Sequence, residues 1–464
     1  MFDKIVSFVN SVVWSPALVV LLVGAGLYFS LRTRFVQVRR FGLMVRSLFA
    51  PAERHDDGKK KGISSFEAFC VALSGRVGTG NIVGVATAIA MGGPGAVFWM
   101  WIIAFLGAST AFVESTLAQK YKFNHSTGFR GGPSCYIEEG LGLKWLGVVF
   151  SVLSLLSYGL LMPSVQSNGL STAMSNSFNI SPLWCGIGLA AVLALVIIGG
   201  IKSISKVASV VTPFMALGYI VVTIIVIANH WADVPGVFRA IFNGAFGIQP
   251  VAGGILGSTI MMGVKRGIFS NEAGQGGGAM VSASASVSHP AKQGLAQAFS
   301  VYVDTLLICT ATALMILCSG TYNILDAKTG EMLQPVQPGL GANYVGYTQA
   351  AVDSVLSGFG SAFVSIALAF FVFTTVMAYY FYGESSIIYL FKGHKGSAAA
   401  EKVVIWVYRV VILGTVVFGA VKESNVIWQI GDIGVGITAW INVAALIFLC
   451  PIAIRLLKEY EGKQ

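Results

Sequence analysis

The stretch SGRVGTGNIVGV, Ser74–Val85, decides the fold, because it interrupts an apolar run with residues that disfavour a helix. The run extends from about Phe66 to Met91 and is long enough to cross a bilayer. Gly75, Gly78 and Gly80 fall at its centre, and each glycine costs a helix about 1 kcal/mol relative to alanine. Broken backbone at membrane depth is tolerated only where it is buried in protein or lines a cavity. The stretch therefore predicts an interrupted span whose free amides and carbonyls hold an ion and a charged small molecule.

A second stretch has the same properties. GIFSNEAGQGGG, Gly267–Gly278, interrupts an apolar region from about Gly253 to Val281. Two glycine-broken spans, one in each half of a chain, are typical of a secondary transporter that binds its substrate near the bilayer midplane.

The composition indicates a polytopic membrane protein. The chain has 464 residues, of which 55% are hydrophobic and 11% charged, whereas soluble domains average about 25% charged residues. The net charge of +10 comes from basic residues in short loops, which fits the positive-inside rule better than nucleic-acid binding. The six cysteines show no C-x-x-C spacing, so no metal centre or disulfide framework is predicted.

Apolar segments of roughly 20 residues predict eleven spans. The spans are about Pro16–Leu31, Phe66–Met91, Gly95–Leu117, Gly147–Met174, Pro182–Ile198, Val207–Ala228, Gly253–Val281, Leu295–Cys318, Ala362–Phe391, Val403–Val421 and Val435–Leu456. Basic residues follow the first span instead of preceding it, so no cleavable signal peptide is predicted. Alternation of basic and less basic loops predicts a plasma (inner) membrane protein with its N-terminus outside and its C-terminus cytoplasmic.

The spans predict a single transmembrane domain made of two halves. Residues 16–31 form an extra N-terminal span, 64–228 a first five-helix repeat and 250–456 a second. Each half begins with a broken span, and five spans per half leave the two halves inverted in the membrane. The predicted fold class is therefore an all-α polytopic membrane protein with a 5+5 inverted repeat.

Three segments carry a resemblance to a known family. They are VGTGNIVGVATAIAMGGPGAVFWMW (Val77–Trp101), RGIFSNEAG (Arg266–Gly274) and TTVMAYYFYGE (Thr374–Glu384). Over residues 18–456 the chain resembles the alanine or glycine:cation symporter family, also called sodium:alanine symporters. The resemblance implies a leucine-transporter-type fold and uptake of a small neutral amino acid such as alanine or glycine. It also implies sodium as the coupling ion, or protons in some members, and no other cofactor.

The chain departs from the family pattern at three places. Gln275 and Gly277 stand where the family more often has Met and Ser, Tyr379 stands where it usually has Trp, and the third core helix reads PSVQSNGL at Pro163–Leu170. Tyrosine is smaller than tryptophan, and Gly277 lacks the hydroxymethyl group of serine. These changes predict a pocket that accepts side chains larger or more polar than that of alanine.

A zwitterionic substrate needs partners of both signs. Its carboxylate suits the N–H groups at the positive end of a half-helix, which Gly78, Thr79, Gly80 and Asn81 supply. Its ammonium suits oxygen atoms near Phe269, Ser270 and Asn271. The resemblance adds Gln166 as a substrate contact and Phe269 and Tyr379 as pocket walls. The alternatives are interhelical hydrogen bonding for Gln166 and ordinary packing for the two aromatic residues.

The resemblance also implies the ligands of sodium. They are the main-chain oxygens of Arg76, Val77 and Gly78, together with Asn81 and the hydroxyls of Thr374 and Thr375. The alternative for the two threonines is hydrogen bonding to their own helix, which is common in membranes.

Charged residues within spans usually face the bundle interior and pair with one another. Such residues include Arg76, Glu114, Lys265, Arg266, Glu272, Asp304 and Glu384. Structural pairing is the expectation for all of them; a gate formed by Arg76 and Glu272, and proton relay at Asp304 and Glu114, are the alternatives.

A channel is an alternative function, but it would need a pore-lining ring or filter. One chain with two dissimilar broken helices favours transport by alternating access instead. An enzyme would need a catalytic constellation, and the five histidines lie in loops or at span ends without an H-E-x-x-H motif.

Overall fold

The structure is a computed structural model that describes residues 2–51, 62–247, 256–327, 329–394 and 396–462. The N-terminal part and the first half are helical: α1 (Phe2–Val13), α2 (Pro16–Arg32), α3 (Val36–Arg39), α4 (Phe41–Leu48), α5 (Ser65–Arg76), α6 (Val85–Gly92), α7 (Gly95–Lys120), α8 (Pro133–Leu141), α9 (Lys144–Leu156), α10 (Met162–Phe178), α11 (Pro182–Ile197) and α12 (Gly200–Asn229). The remaining helices are α13 (Val234–Ala245), α14 (Leu256–Asn271), α15 (Gly277–Ser284), α16 (Pro290–Val301), α17 (Thr310–Ser319), α18 (Tyr344–Asp353), α19 (Gly360–Phe391), α20 (Ala398–Val421) and α21 (Ser424–Glu461).

Shorter elements complete the described part of the chain. Three π-helical segments lie at Gly80–Gly84, Ser157–Leu161 and Tyr302–Cys309, and two 3₁₀ turns at Trp231–Asp233 and Pro338–Leu340. Four short strands form two antiparallel hairpins, β1 (Phe123–His125) with β2 (Gly128–Arg130) and β3 (Asn323–Leu325) with β4 (Met332–Pro335).

Nine of the predicted spans meet the length and apolarity expected of a membrane helix. Eight are helices or continuous helical runs, and the ninth is the pair of α5 and Gly80–Gly92, which is bent by 51°. The predicted span at Pro182–Ile198 is the 16-residue α11, too short to meet that criterion. The predicted span Gly253–Val281 is divided between α14 and α15, and its first residues lie outside the described ranges.

Both halves carry the same extra elements in the same order. The hairpin β1–β2 and the short helix α8 stand between the second and third spans of the first half, as β3–β4 and α18 do in the second. A short helix near Ser134–Gly140 is expected from the sequence, whereas the two hairpins are not. The division into two five-helix repeats stays a prediction.

The broken helices lie at the centre of the molecule. Residues 68–90 and 266–287 are buried without interruption. By contrast, α11, α12 and α20 expose large apolar side chains such as Leu195, Val210 and Val410. Such side chains suit contact with lipid, because an apolar surface of this extent is unfavourable in water.

Candidate functional site

The first break lies between the end of α5 and the π-helical turn Gly80–Gly84. The Gly78 N–H donates to Asn81 Oδ1 at 2.8 Å. The Thr79 N–H and hydroxyl donate to Gln166 Oε1, on α10, at 2.9 and 3.0 Å. Two amide donors released by the break are therefore capped by side-chain oxygens, and Gln166 Oε1 stands where a substrate carboxylate is expected.

Glycine is required at the first break because other groups approach it closely. A Cβ atom on Gly78 would lie 2.6 Å from Gln166 Oε1 and 2.7 Å from Thr375 Oγ1. A Cβ atom on Gly80 would lie 3.2 Å from both Phe269 and Ser270 of α14. These glycines bring α10, α14 and α19 against the backbone of the break.

Oxygen atoms converge where α19 passes the end of α5. Thr375 Oγ1 lies 2.9 Å from the Ser74 carbonyl, 3.0 Å from the Val77 carbonyl and 2.8 Å from the Phe371 carbonyl. Hydroxyl and carbonyl oxygens are the ligands that hard cations such as sodium prefer. Thr374 differs from its neighbour: its hydroxyl bonds to Phe370 and Phe371 of its own helix.

The structure thus brings only part of the expected sodium ligands together. Thr375 and the Val77 carbonyl meet, with the Ser74 carbonyl as an unpredicted neighbour. Thr374 points elsewhere, because its hydroxyl follows the self-bonding pattern of membrane threonines. The Gly78 carbonyl accepts from the Asn81 amide at 3.2 Å. The Arg76 side chain contacts the second break, and the ligand role of the Arg76 main-chain oxygen stays a prediction.

A buried carboxylate joins the two broken helices. Asp304 lies in the π-helical segment Tyr302–Cys309; it accepts from Asn81 Nδ2 at 2.7 Å, from Ser270 Oγ at 2.9 Å and from Thr305 Oγ1 at 2.7 Å. No ion pair within the described part of the chain includes it, so the structural pairing expected of Asp304 is not found there. π-Helical turns are frequent at functional sites.

The second break lies between α14 and α15 and is more strongly distorted. Glu272, Gly274 and Gly276 have φ of +55°, +88° and +94°. That region suits glycine but strains Glu272. Two side chains hold the segment: Gln275 Nε2 donates to the Ile268 carbonyl at 2.7 Å, and Asn442 Nδ2 donates to the Gly274 carbonyl at 2.9 Å.

Several buried polar atoms around the second break have no hydrogen-bond partner among the described residues. They are Asn271 Nδ2, Glu272 Oε1, Gln275 Oε1, Glu114 Oε1 and one terminal nitrogen of Arg76. Buried polar atoms in native proteins are nearly always satisfied. A cluster of unsatisfied donors and acceptors therefore indicates where a polar ligand, an ion or water belongs.

Arg76 connects the two breaks. Its Nε donates to the Asn271 carbonyl at 2.6 Å, and its Nη1 donates to Gln297 Oε1 at 3.1 Å and to Ser300. No Arg76–Glu272 ion pair is found within the described residues, since Glu272 instead accepts from the Tyr382 hydroxyl at 3.2 Å. Arg76 therefore acts between the helices through hydrogen bonds.

The aromatic residues near the second break leave less space than the sequence predicts. Tyr379 is buried, with its ring centroid 5.4 Å from that of Tyr158 and 5.9 Å from that of Tyr382. A Cβ atom on Gly277 would lie 2.5 Å from the Tyr382 ring. The expectation that Gly277 enlarges the pocket is wrong, because the Tyr382 ring fills that space.

An ion-pair cluster lies beyond Phe269, at the end of the site nearer to α1. Asp432 on α21 accepts from both terminal nitrogens of Arg266, at 3.0 and 2.9 Å, and pairs with Lys265 at 2.7 Å. The Trp428 ring packs 5.3 Å from that of Phe269 and 5.0 Å from the Arg266 guanidinium. The pairing expected of Lys265 and Arg266 is confirmed, with a partner that the sequence analysis missed.

A cavity of about 550 Å³ lies next to this cluster. Lys265, Arg266, Trp428 and Asp432 line it together with Thr172 on α10. The cavity reaches Val83 at the first break, whereas Trp428 and the ion pairs lie between it and Phe269, which does not line it. This arrangement has the form of a closed gate.

Glu384 forms the ion pair expected of it. Its partner is Arg130 on β2, at 3.1 Å. Burial lowers the pKa of the Arg130 guanidinium, and the neighbouring Glu384 carboxylate offsets part of that shift. The pair fastens the first hairpin to α19, on which Thr375 also lies.

Comparisons with known proteins agree with this architecture. The model of the sodium:alanine symporter family matches residues 1–464. The sodium/proton-dependent alanine carrier protein of Bacillus sp. (strain PS3) is 48% identical over 404 residues, 86% of this chain and 88% of the relative. A Bacillus subtilis protein named as a probable sodium/glutamine symporter is 43% identical over 462 residues, 100% of this chain and 91% of the relative.

The solved structures include one with the same fold. The crystal structure of MhsT in complex with L-phenylalanine superposes with a TM-score of 0.57 at 13% identity, covering 86% of this chain and 99% of that one. The predicted leucine-transporter-type fold class is confirmed.

Proposed function

Because the chain belongs to the sodium:alanine symporter family, and is therefore a multi-pass, cation-coupled amino acid symporter and not an enzyme, we propose that sodium drives uptake of a small neutral amino acid. Transport proceeds by alternating access, with the two broken helices forming the binding site. In the proposed orientation the N-terminus is outside and the C-terminus is in the cytoplasm.

One observation carries the proposal of sodium coupling. Thr375 Oγ1 lies 2.9 Å from the Ser74 carbonyl oxygen and 3.0 Å from the Val77 carbonyl oxygen, and all three are uncharged oxygen ligands. A cation at this point would join α19 to the end of α5. Its binding would therefore stabilise one arrangement of the first break, which is how an ion can couple to substrate binding.

The substrate is placed between the two breaks. Its carboxylate would accept a hydrogen bond from the Thr79 amide, in place of Gln166 Oε1, and another from the neighbouring amide of Gly80. Its ammonium would face the unsatisfied Glu272 Oε1. Phe269 and Trp428, whose rings are 5.3 Å apart, would cover it on the side of the cavity.

The substrate class includes polar side chains. Gln275 Oε1 is buried and has no partner among the described residues, so it offers a hydrogen-bond acceptor to a serine, threonine or glutamine side chain. A related protein is named as a probable sodium/glutamine symporter, which supports a class wider than alanine and glycine.

Proton coupling is the second candidate, and the burial of three carboxyl groups favours it. Asp304, Glu272 and Glu114 are completely buried carboxyl groups without an ion pair among the described residues. A carboxyl group in such a place is a common site of proton transfer in transporters. A related protein is named as sodium/proton-dependent.

Uptake by proteoliposomes tests the proposed function. Labelled alanine uptake is measured with an inward sodium gradient, with an inward proton gradient in the absence of sodium, and with choline replacing sodium. Accumulation driven by sodium alone is the expected result. Accumulation that follows the proton gradient without sodium would establish the second candidate, and passive equilibration under all conditions would refute coupled transport.

A further inference from the structure

The N-terminal helices lie outside the two repeats, yet they contact the ion-pair cluster of Asp432 directly. The indole Nε1 of Trp14 donates to the Asp432 carbonyl at 2.8 Å. The Lys265 ammonium lies 5.4 Å from the centre of the Trp14 ring and 3.5 Å from Asn10 Oδ1. Trp14 is buried at 5% exposure. One side chain thus touches both the backbone of the gate carboxylate and one of its two cations.

Two more hydrogen bonds fasten the same segment to α21. Ser7 Oγ donates to Gln429 Oε1 at 2.7 Å, and Trp440 Nε1 donates to the Val13 carbonyl at 3.0 Å. The approach is close: a Cβ atom on Gly436 would lie 3.3 Å from Trp14 Nε1. These contacts follow α21 from Gln429 to Trp440, the part of the helix that carries Asp432.

The rest of α1 makes little contact with protein. Phe2, Ile5 and Phe8 are exposed at 62%, 52% and 69%, and Val6 is the one residue of this helix that is buried. The polar contacts of α1 are therefore concentrated on the face toward α21. A segment that served only as a membrane anchor would have no need for hydrogen bonds to the gate.

We propose that Trp14, through the Asp432 carbonyl, and Asn10, through Lys265, are positioning residues that hold the ion-pair cluster together and so stabilise the closed state of the gate beside the cavity. To open that gate, the bonds of Asp432 to Arg266 and Lys265 must break, and α21 must move away from Phe269. Movement of α21 relative to α1 also breaks the Trp14 bond. The N-terminal helices thereby set the balance between the closed and open states. This inference presupposes alternating access from the proposed function, but neither a particular substrate nor a particular ion.

The test measures access through the gate at one cysteine on the side of the two breaks. The reporter is the native Cys309, which is buried with its sulfur 3.2 Å from Ser270 Oγ, and its modification is quantified by mass spectrometry. Cys185→Ala removes the native cysteine that is only partly buried. The rate of modification by a membrane-impermeant thiol reagent is compared between Trp14→Phe and the parent. Phenylalanine keeps an aromatic ring beside Lys265 but cannot donate to Asp432.

Trp101→Phe is the matched control. It also removes one indole hydrogen bond, from Trp101 Nε1 to Thr310 at 2.8 Å, but it does so away from Asp432. Loss of one hydrogen bond from the closed state alone corresponds to about a fivefold change in population. We expect Trp14→Phe to raise the modification rate about fivefold, Asn10→Ala to raise it less, and Trp101→Phe to leave it unchanged.

Equal modification rates in the parent and in Trp14→Phe would overturn the inference, as would an equal rise in Trp101→Phe. If Trp14→Phe does not reach the membrane, Asn10→Ala decides by the same comparison. The reporter needs no substrate, so its result is separate from the uptake experiment: absence of sodium-driven uptake in the parent refutes the proposed coupling and leaves the comparison of access rates standing.

Discussion

The two breaks differ in how completely their polar groups are satisfied. At the first break, the amides of Gly78 and Thr79 donate to side-chain oxygens, and the Val77 carbonyl accepts from Thr375. At the second, Asn271 Nδ2, Glu272 Oε1 and Gln275 Oε1 lack partners within the described residues. Both segments are equally buried, so exposure to water does not explain the difference.

This contrast suits the two breaks to different ligands. A break whose groups are satisfied by residues of α10 and α19 holds its shape without substrate and is suited to bind an ion among uncharged oxygens. A break that leaves donors and acceptors unsatisfied gains most when a polar ligand arrives. The strain at Glu272, with φ of +55°, is consistent with a functional position, since such strain persists only where the surroundings enforce it.

The largest expected effect comes from disturbing the first break. Gly78→Ala would place a Cβ atom 2.6 Å from Gln166 Oε1, so the cap of Thr79 must move. We expect the uptake rate to fall on the order of 100-fold, because displacement of a site by about 1 Å has an effect of that size. Gly84→Ala is the control, since its nearest atom would lie 3.9 Å away. Similar uptake by the two variants would show that the first break tolerates rearrangement.

Next in size is the effect of Glu272→Gln at the second break. The substitution keeps the shape and removes the charge proposed to face the substrate ammonium. Hydrogen bonds to charged groups contribute about 1.5–3 kcal/mol, so the KM for alanine should rise about tenfold to a hundredfold while the sodium concentration for half-maximal uptake stays the same.

Glu139→Gln serves as the control for Glu272→Gln, because Glu139 pairs with Lys392 near the surface at 2.6 Å. It should leave the KM within about twofold, as surface ion pairs contribute little. A KM in Glu272→Gln equal to that of the parent would place the substrate ammonium elsewhere.

A smaller, ion-specific effect is expected at Thr375. Thr375→Ala removes the hydroxyl that meets the Ser74 and Val77 carbonyls, and the sodium concentration for half-maximal uptake should rise about tenfold, equivalent to about 1.4 kcal/mol. Thr375→Ser should restore most of the sodium affinity. Thr374→Ala should leave it unchanged, since that hydroxyl bonds within its own helix. An equal rise in the sodium concentration for half-maximal uptake in Thr375→Ala and Thr374→Ala would contradict the assignment of the ion to Thr375.

The sequence is most informative where conformation depends on glycine. Gly78 leaves room for the Gln166 and Thr375 side chains at the first break, and Gly274 adopts φ of +88° at the second; glycine clusters of this kind can be recognised from sequence alone. The fold class follows from these breaks and from the apolar spans.

Contacts between distant segments account for what sequence analysis missed. Ser74 contributes a main-chain oxygen, which any residue type would supply. Asp432 lies just before the predicted span Val435–Leu456, so its position in the sequence does not predict a pairing with Arg266. Gly277 meets the ring of Tyr382, more than a hundred positions away. Such proximity is a property of the packed structure, and neither composition nor periodicity reveals it.

The smallest expected effect tests whether the unsatisfied groups of the second break choose the substrate. Gln275→Met restores the residue that the family more often carries and removes the unpartnered Oε1, together with the bond from Nε2 to the Ile268 carbonyl. Inhibition of labelled alanine uptake by glycine, serine, threonine and glutamine is measured in both proteins. We expect Gln275→Met to weaken inhibition by the polar amino acids several-fold and to leave inhibition by glycine unchanged, because a hydrogen bond between neutral groups contributes about 0.5–1.5 kcal/mol.

Tyr379→Trp, made in the same packed region, separates the two explanations. If Tyr379→Trp changes inhibition by the four amino acids in the same way as Gln275→Met, pocket volume sets the preference and the hydrogen-bonding role of Gln275 is wrong. If only Gln275→Met changes this inhibition, the unsatisfied oxygen at the second break selects the substrate side chain.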